Sequence, residues 1–237
     1  MKMKPLKAAD IDKFDNWTAI IYSQPGFGKT SMVKSLTGKT VVLSVDGMYH
    51  VLNGLEDVDI LTMDSKKPNE ELANFYRYLL NNLNEIDNIV IDNISTYQKY
   101  WLNAVGKTTT SGMPEIRDYG VIARVLFDFV ASLKALKKNV LIFAHQTTEE
   151  ITREGGGVYT EFQPDIRALD AIMGIVPIVG RLVIVTNKET QEKERIIVLQ
   201  PTQATRAKDQ LIGNLPTIGQ MELLPLLQNQ IKNKEEN

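Results

Sequence analysis

The sequence predicts an α/β fold in which a mostly parallel β-sheet carries helices on both faces and ends in an antiparallel extension. Three observations predict it. Five short apolar segments have the length of buried strands, amphipathic segments lie between some of them, and after residue 175 two strand-like segments are joined by a charged turn. Strands that alternate with helices form βαβ units, whose parallel sheet is buried on both faces.

The predicted elements follow in order along the chain. The five strands are expected at 18–22, 40–46, 58–62, 88–93 and 139–146. Apolar residues at helical spacing predict an amphipathic helix over 69–86 and a second over 118–137. The segments 176–186 and 195–200 are the predicted antiparallel hairpin.

The chain is expected to form one domain over 1–237. Residues 1–16 are polar and predict a loose lead-in, and the Gln- and Lys-rich residues 228–237 predict a frayed end. Between them we find no internal repeat and no linker that would mark a domain boundary.

Composition excludes several functional classes. The formal net charge is −2, so the whole molecule is not an electrostatic nucleic-acid binder, and any DNA affinity must come from a local surface or an assembly. The chain contains no cysteine, which excludes disulfides and thiolate metal sites. No apolar run approaches the ~18 residues of a membrane span, and the start of the chain lacks the apolar region of a signal peptide. We therefore expect a cytoplasmic protein with no membrane partner.

The segment after the first strand has the pattern of a phosphate-binding loop. It matches G-x-x-x-x-G-K-[ST] except at the first position, where Ser23 replaces glycine, and a helix is expected from Gly28 to about Leu36. Backbone N–H groups of such a loop and the helix N-terminus bind phosphate. Lys29 would contact the β- and γ-phosphates, and Thr30 would ligate Mg²⁺. The alternative is a tight strand–helix turn with a surface lysine. The predicted nucleotide-binding residues are Ser23, Gln24, Pro25, Gly26, Phe27, Gly28, Lys29, Thr30 and Ser31.

Acidic side chains at two other predicted strand ends complete this hypothesis. Ligands of doubly wound sheets lie beyond the carboxyl ends of the strands. Asp92 follows an apolar strand and is predicted to hold Mg²⁺ through its water shell, the alternative being an Asp that caps the following turn. Asp46 ends the second strand. Two predicted strands lie between the loop and Asp92, which favours the RecA/AAA branch of nucleotide-binding proteins over nucleoside-monophosphate kinases.

Three segments together resemble the RecA-type recombinase core, especially its short phage-encoded, Sak-type members that anneal or recombine single strands. They are Ile20–Ser31, Ile89–Ser95 and Leu141–Gln146, and the resemblance covers about 17–210. It implies ATP and Mg²⁺ as cofactors, ATP hydrolysis and a role in phage-type recombination or replication. It also implies that Gln146 senses the γ-phosphate. RecA-like proteins have Asn at the position of His145, and their phage relatives often have His there. The alternative for His145 is a structural strand-end histidine.

The resemblance also implies partners. By position, residues 106–118 and 147–167 correspond to the two loops that bind single-stranded DNA in the family. The second loop combines glycines, aromatics and arginines with four glutamates, so a mobile loop without a DNA role is the alternative. Arg206 and Lys208 lie in a stretch that resembles one in RecA filaments, where its cations reach the ATP of the neighbouring subunit. The alternative is a solvated basic turn. A homo-oligomer and a single-strand-binding protein are further candidate partners.

One departure from the family leaves rival functions open. Met48 stands where RecA-like enzymes place a catalytic Glu, so Asp46 is the remaining candidate for orienting the attacking water, or hydrolysis is slow. A second hypothesis is therefore a nucleotide-dependent switch with little turnover. A third is an AAA-type motor or helicase loader, which would need an arginine finger from a helical lid, for which the roughly thirty residues after Lys208 leave little room.

Overall fold

The structure is a computed structural model, and it describes residues 7, 14–153, 157–188, 190–213 and 215–232. Most of the predicted lead-in, and the glycines at 155 and 156, lie outside the described residues. The strands are β1 Thr18–Ser23, β2 Thr40–Ser44, β3 Val58–Thr62, β4 Asn88–Asp92, β5 Asn139–Arg153, β6 Gly157–Pro164, β7 Ile178–Thr186, β8 Lys193–Val198, β9 Lys208–Asp209 and β10 Thr217–Gly219. The α-helices are α1 Pro68–Asn81, α2 Ile94–Gly106, α3 Ile116–Ala135, α4 Leu169–Ile175 and α5 Leu223–Lys232, with short 3-10 helices at Thr30–Ser35 and His50–Leu52.

Within the described residues the strands form one sheet in the order β10-β8-β7-β1-β5-β4-β2-β3. The pairs from β7 through β3 are parallel, whereas β8 runs antiparallel to β7 and β10 antiparallel to β8. The predicted α/β class, with its antiparallel extension, is therefore confirmed. The parallel arrangement brings the ends of β1, β5, β4 and β2 to the same edge of the sheet, and β5 separates β1 from β4.

Both faces of the sheet are covered, as the uninterrupted apolar strands predict. Because successive strand residues point to opposite faces, Ile20 belongs to the core under α1–α4, and Ile21 belongs to the core under α5 and the first 3-10 helix. Both side chains are fully buried.

Several predicted boundaries need correction. The first amphipathic helix ends at Asn81 rather than 86, and the second spans Ile116–Ala135. The helix expected from Gly28 to about Leu36 is present as a 3-10 helix over Thr30–Ser35. The predicted frayed end is wrong for 228–232, which continue α5, because the Gln228 amide is buried and donates to Thr37 O at 2.8 Å. Residues 233–237 lie outside the described part of the chain.

The largest correction concerns the predicted loop 147–167, whose described residues lie mostly in two strands. β5 continues to Arg153 and pairs with β6 in an antiparallel hairpin, with Gln146 opposite Pro164 and Thr152 opposite Val158. Branched and aromatic residues, which favour extended backbone, occur on both arms. The first predicted DNA loop is also shorter than expected, because α2 ends at Gly106 and α3 begins at Ile116.

Candidate nucleotide-binding site

A cavity of about 530 Å³ lies at the sheet edge where β1, β2, β4 and β5 end. The phosphate-binding loop forms one wall, and residues after β2 and at the ends of β4 and β5 form the others. Its lining residues are Pro25, Gly26, Gly28, Lys29, Thr30, Ser31, Asp46, Met48, Val51, Asp92, Asn93, Thr96 and His145. Lys29 and Asp92, 63 positions apart in the chain, therefore meet at one cavity.

The Lys29 ammonium is buried and donates hydrogen bonds to three uncharged oxygens. Nζ donates to Ser23 Oγ at 2.9 Å, to Ser23 O at 3.2 Å and to Gln24 O at 3.3 Å. Burial lowers the pKa of Lys29 from its ordinary value to about 8, although Asp92 and Asp46 oppose this shift. Ser23, which replaces the usual glycine, thus helps to hold the lysine. A buried cation with neutral partners is suited to an anionic ligand.

The Thr30 hydroxyl and the Asp92 carboxylate form the second feature of the site. Thr30 Oγ1 donates to Asp92 Oδ2 at 2.6 Å. Burial raises the pKa of Asp92 to about 6, while the Thr30 hydrogen bond and the Lys29 charge work in the opposite direction. A hydroxyl and a carboxylate side by side are oxygen ligands of the kind that Mg²⁺ accepts, usually together with waters and substrate phosphates.

This donor set fits a magnesium ion that is bound with a nucleotide rather than held by the protein alone. Within the described residues there is no cluster of three or more His, Cys, Asp or Glu side chains that could hold a metal. The loop has the backbone that a phosphate cradle requires, since Gly26 has φ +80° and Gly28 has φ +95°. The residues present therefore fit Mg²⁺ together with a triphosphate.

A third feature connects Asp46 to His145 through Asn93. The Asn93 amide nitrogen lies 2.9 Å from Asp46 Oδ2 and 3.2 Å from His145 Nε2. Burial and the charges of Lys29 and Lys99 lower the pKa of His145, which favours the neutral ring that can accept this hydrogen bond. The second Asp46 oxygen accepts from the Met48 N–H at 3.1 Å. The Asp46 carboxylate is thereby fixed at the cavity wall.

Six predicted site residues lie outside the described cavity lining, namely Ser23, Gln24 and Phe27 of the phosphate-binding loop and the more distant Gln146, Arg206 and Lys208. The Gln146 side chain accepts from Arg181 Nε at 2.9 Å, because the residue after His145 on a strand points to the opposite face. Arg206 pairs with Asp170 and donates to Gln163 Oε1. Lys208 donates to Met173 O at 2.6 Å. The roles predicted for Gln146, Arg206 and Lys208 stay predictions.

The sequence did not indicate several residues that the structure brings to the site. Asn93 caps α2 by accepting from the Thr96 N–H, and its position beside Asp92 was the available signal. Arg195 and Gln220 hydrogen-bond to the backbone of the phosphate-binding loop. Their positions follow from the pairing of β8 with β7 and of β10 with β8, which no local motif encodes.

The fold and the loop at its edge define a P-loop domain of the nucleotide-binding ATPase type. A family model described as "AAA domain" matches residues 15–211, and the chain belongs to this family. No curated protein matches the chain. In the part of the chain that the structure describes, no helix combines the length and apolar character needed to cross a membrane.

Proposed function

We propose that this protein is a Mg²⁺-dependent ATPase whose nucleotide state is coupled to binding of single-stranded DNA in phage-type recombination, annealing or replication. The observation that carries the ATPase part is the 2.6 Å hydrogen bond between Thr30 and Asp92 at a cavity that also contains the Lys29 ammonium. These are the side chains that the magnesium and the terminal phosphates of ATP require. The proposal places the protein in the cytoplasm, where both ATP and DNA are present.

Each of these residues has a separate role in phosphoryl transfer. The Lys29 ammonium binds the β- and γ-phosphate oxygens and stabilises negative charge in the transition state. Thr30 and Asp92 would hold Mg²⁺, which neutralises phosphate charge when it is bound. Asp46, held by the Asn93 amide and the Met48 N–H, orients the attacking water and accepts its proton. Neutral His145 keeps the Asn93 amide in place.

The experiment for the ATPase part is turnover of wild type against Lys29→Ala and Asp46→Asn, with Asp128→Asn as a control. Asp128 is an exposed carboxylate on α3 and is not among the described residues that line the cavity. We expect Lys29→Ala to lose about 10²-fold or more in turnover, as when one transition-state donor is removed, and Asp128→Asn to keep wild-type activity. Wild-type turnover in Lys29→Ala would refute the ATPase assignment.

The DNA part is supported by the way in which the two predicted loops meet. The Arg167 guanidinium, at the end of the 147–167 segment, lies over the Tyr119 ring at 4.8 Å, just after the 106–118 segment. Both side chains are exposed, and Tyr159 is exposed on the hairpin. Cations for phosphates and aromatic rings for stacking are what a single-strand site needs.

The DNA part is tested by fluorescence anisotropy of a labelled oligonucleotide, with and without ATP. We expect ATP-dependent binding that weakens with salt and is reduced in Arg167→Ala and Tyr119→Ala. The control variant is Arg124→Ala, which changes an exposed arginine on α3. If DNA neither binds nor stimulates turnover while Lys29-dependent hydrolysis persists, the DNA part is refuted and the ATPase part stands.

Assembly is a further part of the proposal, in which Arg206 and Lys208 reach the ATP of a neighbouring copy. Asp170, the partner of Arg206, is 81% exposed at its side chain, so this ion pair lies at the surface, where a phosphate can replace the carboxylate. A single-strand-binding protein is the second proposed protein partner. Turnover per molecule that rises with protein concentration, and loses this rise in Arg206→Ala, is the expected result. A constant rate would contradict trans action.

A second candidate function is a nucleotide switch or a helicase-loader-like protein with little hydrolysis. It is favoured by Met48, which lines the cavity where a catalytic carboxylate is expected and is 70% exposed. Tight ATP binding with negligible turnover, with and without DNA, would select the switch over the ATPase.

A further inference from the structure

Two side chains from the antiparallel extension contact the phosphate-binding loop from outside the cavity. Arg195, on β8, donates from Nε to Phe27 O at 3.1 Å. Gln220, directly after β10, donates from Nε2 to Gly28 O at 2.6 Å. The Gln220 N–H donates to Arg195 O at 3.0 Å, which connects the two residues. Neither residue is among the described residues that line the cavity.

These contacts fix the direction of two peptide groups. In a planar trans peptide the C=O of one residue and the N–H of the next point in opposite directions. The Phe27 carbonyl is held toward Arg195, so the Gly28 N–H is directed away from it. The Gly28 carbonyl is held toward Gln220, and the Lys29 N–H points the other way. These two N–H groups lie in the segment that is expected to bind phosphate.

The loop fits closely against this support. A Cβ on Gly28 would lie 3.0 Å from Gln220 Nε2 and 3.5 Å from Arg195 Nε. Gly28 also has a φ of +95°, a backbone conformation that residues with a Cβ rarely adopt. Close contact and a restricted backbone together mean that the loop conformation depends on the extension.

We propose that Arg195 and Gln220 are positioning residues that preorganise the phosphate-binding loop and thereby set its affinity for the triphosphate. This inference rests on the proposed nucleotide binding. The two side chains act through the backbone of Phe27 and Gly28 and need no contact with the nucleoside. The antiparallel extension is on this account a part of the binding site.

The test measures dissociation constants of two probes, Mg-ATP and inorganic tripolyphosphate, for Arg195→Met, Arg195→Lys and Gln220→Met. Methionine has similar size to the side chain it replaces in each case but donates no hydrogen bond. We expect Arg195→Met and Gln220→Met to bind both probes about tenfold more weakly, the size of one lost hydrogen bond. Arg195→Lys, which keeps a donor, should recover part of the loss. The matched control is Arg124→Ala.

Two further readouts separate positioning from general destabilisation. The thermal unfolding midpoint without nucleotide should change no more than in Arg124→Ala, and KM for ATP should rise while kcat at saturation is retained. Unchanged affinity for both probes would overturn the inference. So would weaker ATP binding with unchanged tripolyphosphate binding, which would indicate a direct nucleoside contact, or an affinity loss that accompanies a lowered midpoint.

Failure of the inference can be told from failure of the proposed function. If wild type binds both probes, Lys29→Ala binds neither, and the Arg195 and Gln220 variants bind like wild type, only the inference fails. If folded wild type binds neither probe, both fail.

Discussion

Replacing Asp92 by Asn should make the protein more stable while it removes the magnesium-dependent ATPase activity that we propose. Asp92 is 4% exposed, and burial raises its pKa from 3.8 to about 6. This difference in pKa means that folding disfavours the ionised Asp92 carboxylate, relative to the protonated form, by about 3 kcal/mol. Asn removes the charge and keeps an oxygen that can accept from the Thr30 hydroxyl.

The stability gain expected of Asp92→Asn depends on pH and is larger at high pH. Because the folded-state pKa is raised, the folded protein binds more protons than the unfolded chain between about pH 4 and 6, so the Asp92 contribution to stability falls as pH rises through this window. At pH 7.5 Asp92→Asn should raise the free energy of unfolding by about 3 kcal/mol, and at pH 5 by roughly half of that.

Urea unfolding of wild type and Asp92→Asn at both pH values measures the effect, and Asp128→Asn, an exposed carboxylate, is the control that should change little. In the same variant, Mg²⁺-dependent ATP turnover should be lost. A variant that is less stable than wild type at pH 7.5, or a stability gain that is the same at pH 5, would refute the assignment of Asp92 as a carboxylate whose burial disfavours its ionised form.

Three further predictions concern other residues of the site and its support. Burial lowers the pKa of Lys29 to about 8, so the ATP affinity of wild type in a calorimetric titration should fall above about pH 8. Lys29→Arg stays charged and should show no such fall. A parallel fall in both proteins would contradict the prediction. Tyr22→Phe removes a buried hydroxyl that lies 2.8 Å from both Phe162 O and Arg206 O. The free energy of unfolding in urea should therefore fall by about 1–3 kcal/mol. An unchanged unfolding midpoint would argue against a stabilising role of this hydroxyl. Met48→Glu, at the cavity wall, should raise ATP turnover if the missing carboxylate limits hydrolysis; an unchanged or lower rate would contradict that limit.

The sheet was predictable because its strands are encoded locally. Each of β1 to β4 is a short apolar run with a polar residue at its end, and a buried parallel strand needs little more. The phosphate-binding loop was predictable for a similar reason, because glycines, lysine and threonine must occur at fixed spacing to form it. The meeting of Lys29 with Asp92 followed from the rule that parallel strands end at one edge.

What could not be predicted depends on contacts between distant parts of the chain. The β5–β6 hairpin was not predicted, because residues 147–167 were assigned by position to a loop of the resembled family and no local motif encodes the pairing of the two strands. The helix α2 was not predicted, since its cap, Asn93, was expected to be the last residue of the preceding strand. Gln146 is not among the described residues that line the cavity, and its side chain hydrogen-bonds to Arg181 on β7, a contact that no local motif encodes.

The central claim is that Lys29, Thr30 and Asp92 hold one magnesium-bound triphosphate. A crystal structure with Mg²⁺ and a non-hydrolysable ATP analogue tests it most directly. The account predicts the Lys29 ammonium on the terminal phosphates, the Thr30 hydroxyl on the ion and Asp92 within reach of it through water. An analogue bound elsewhere, with the Thr30–Asp92 hydrogen bond left intact and no ion beside it, would contradict the account.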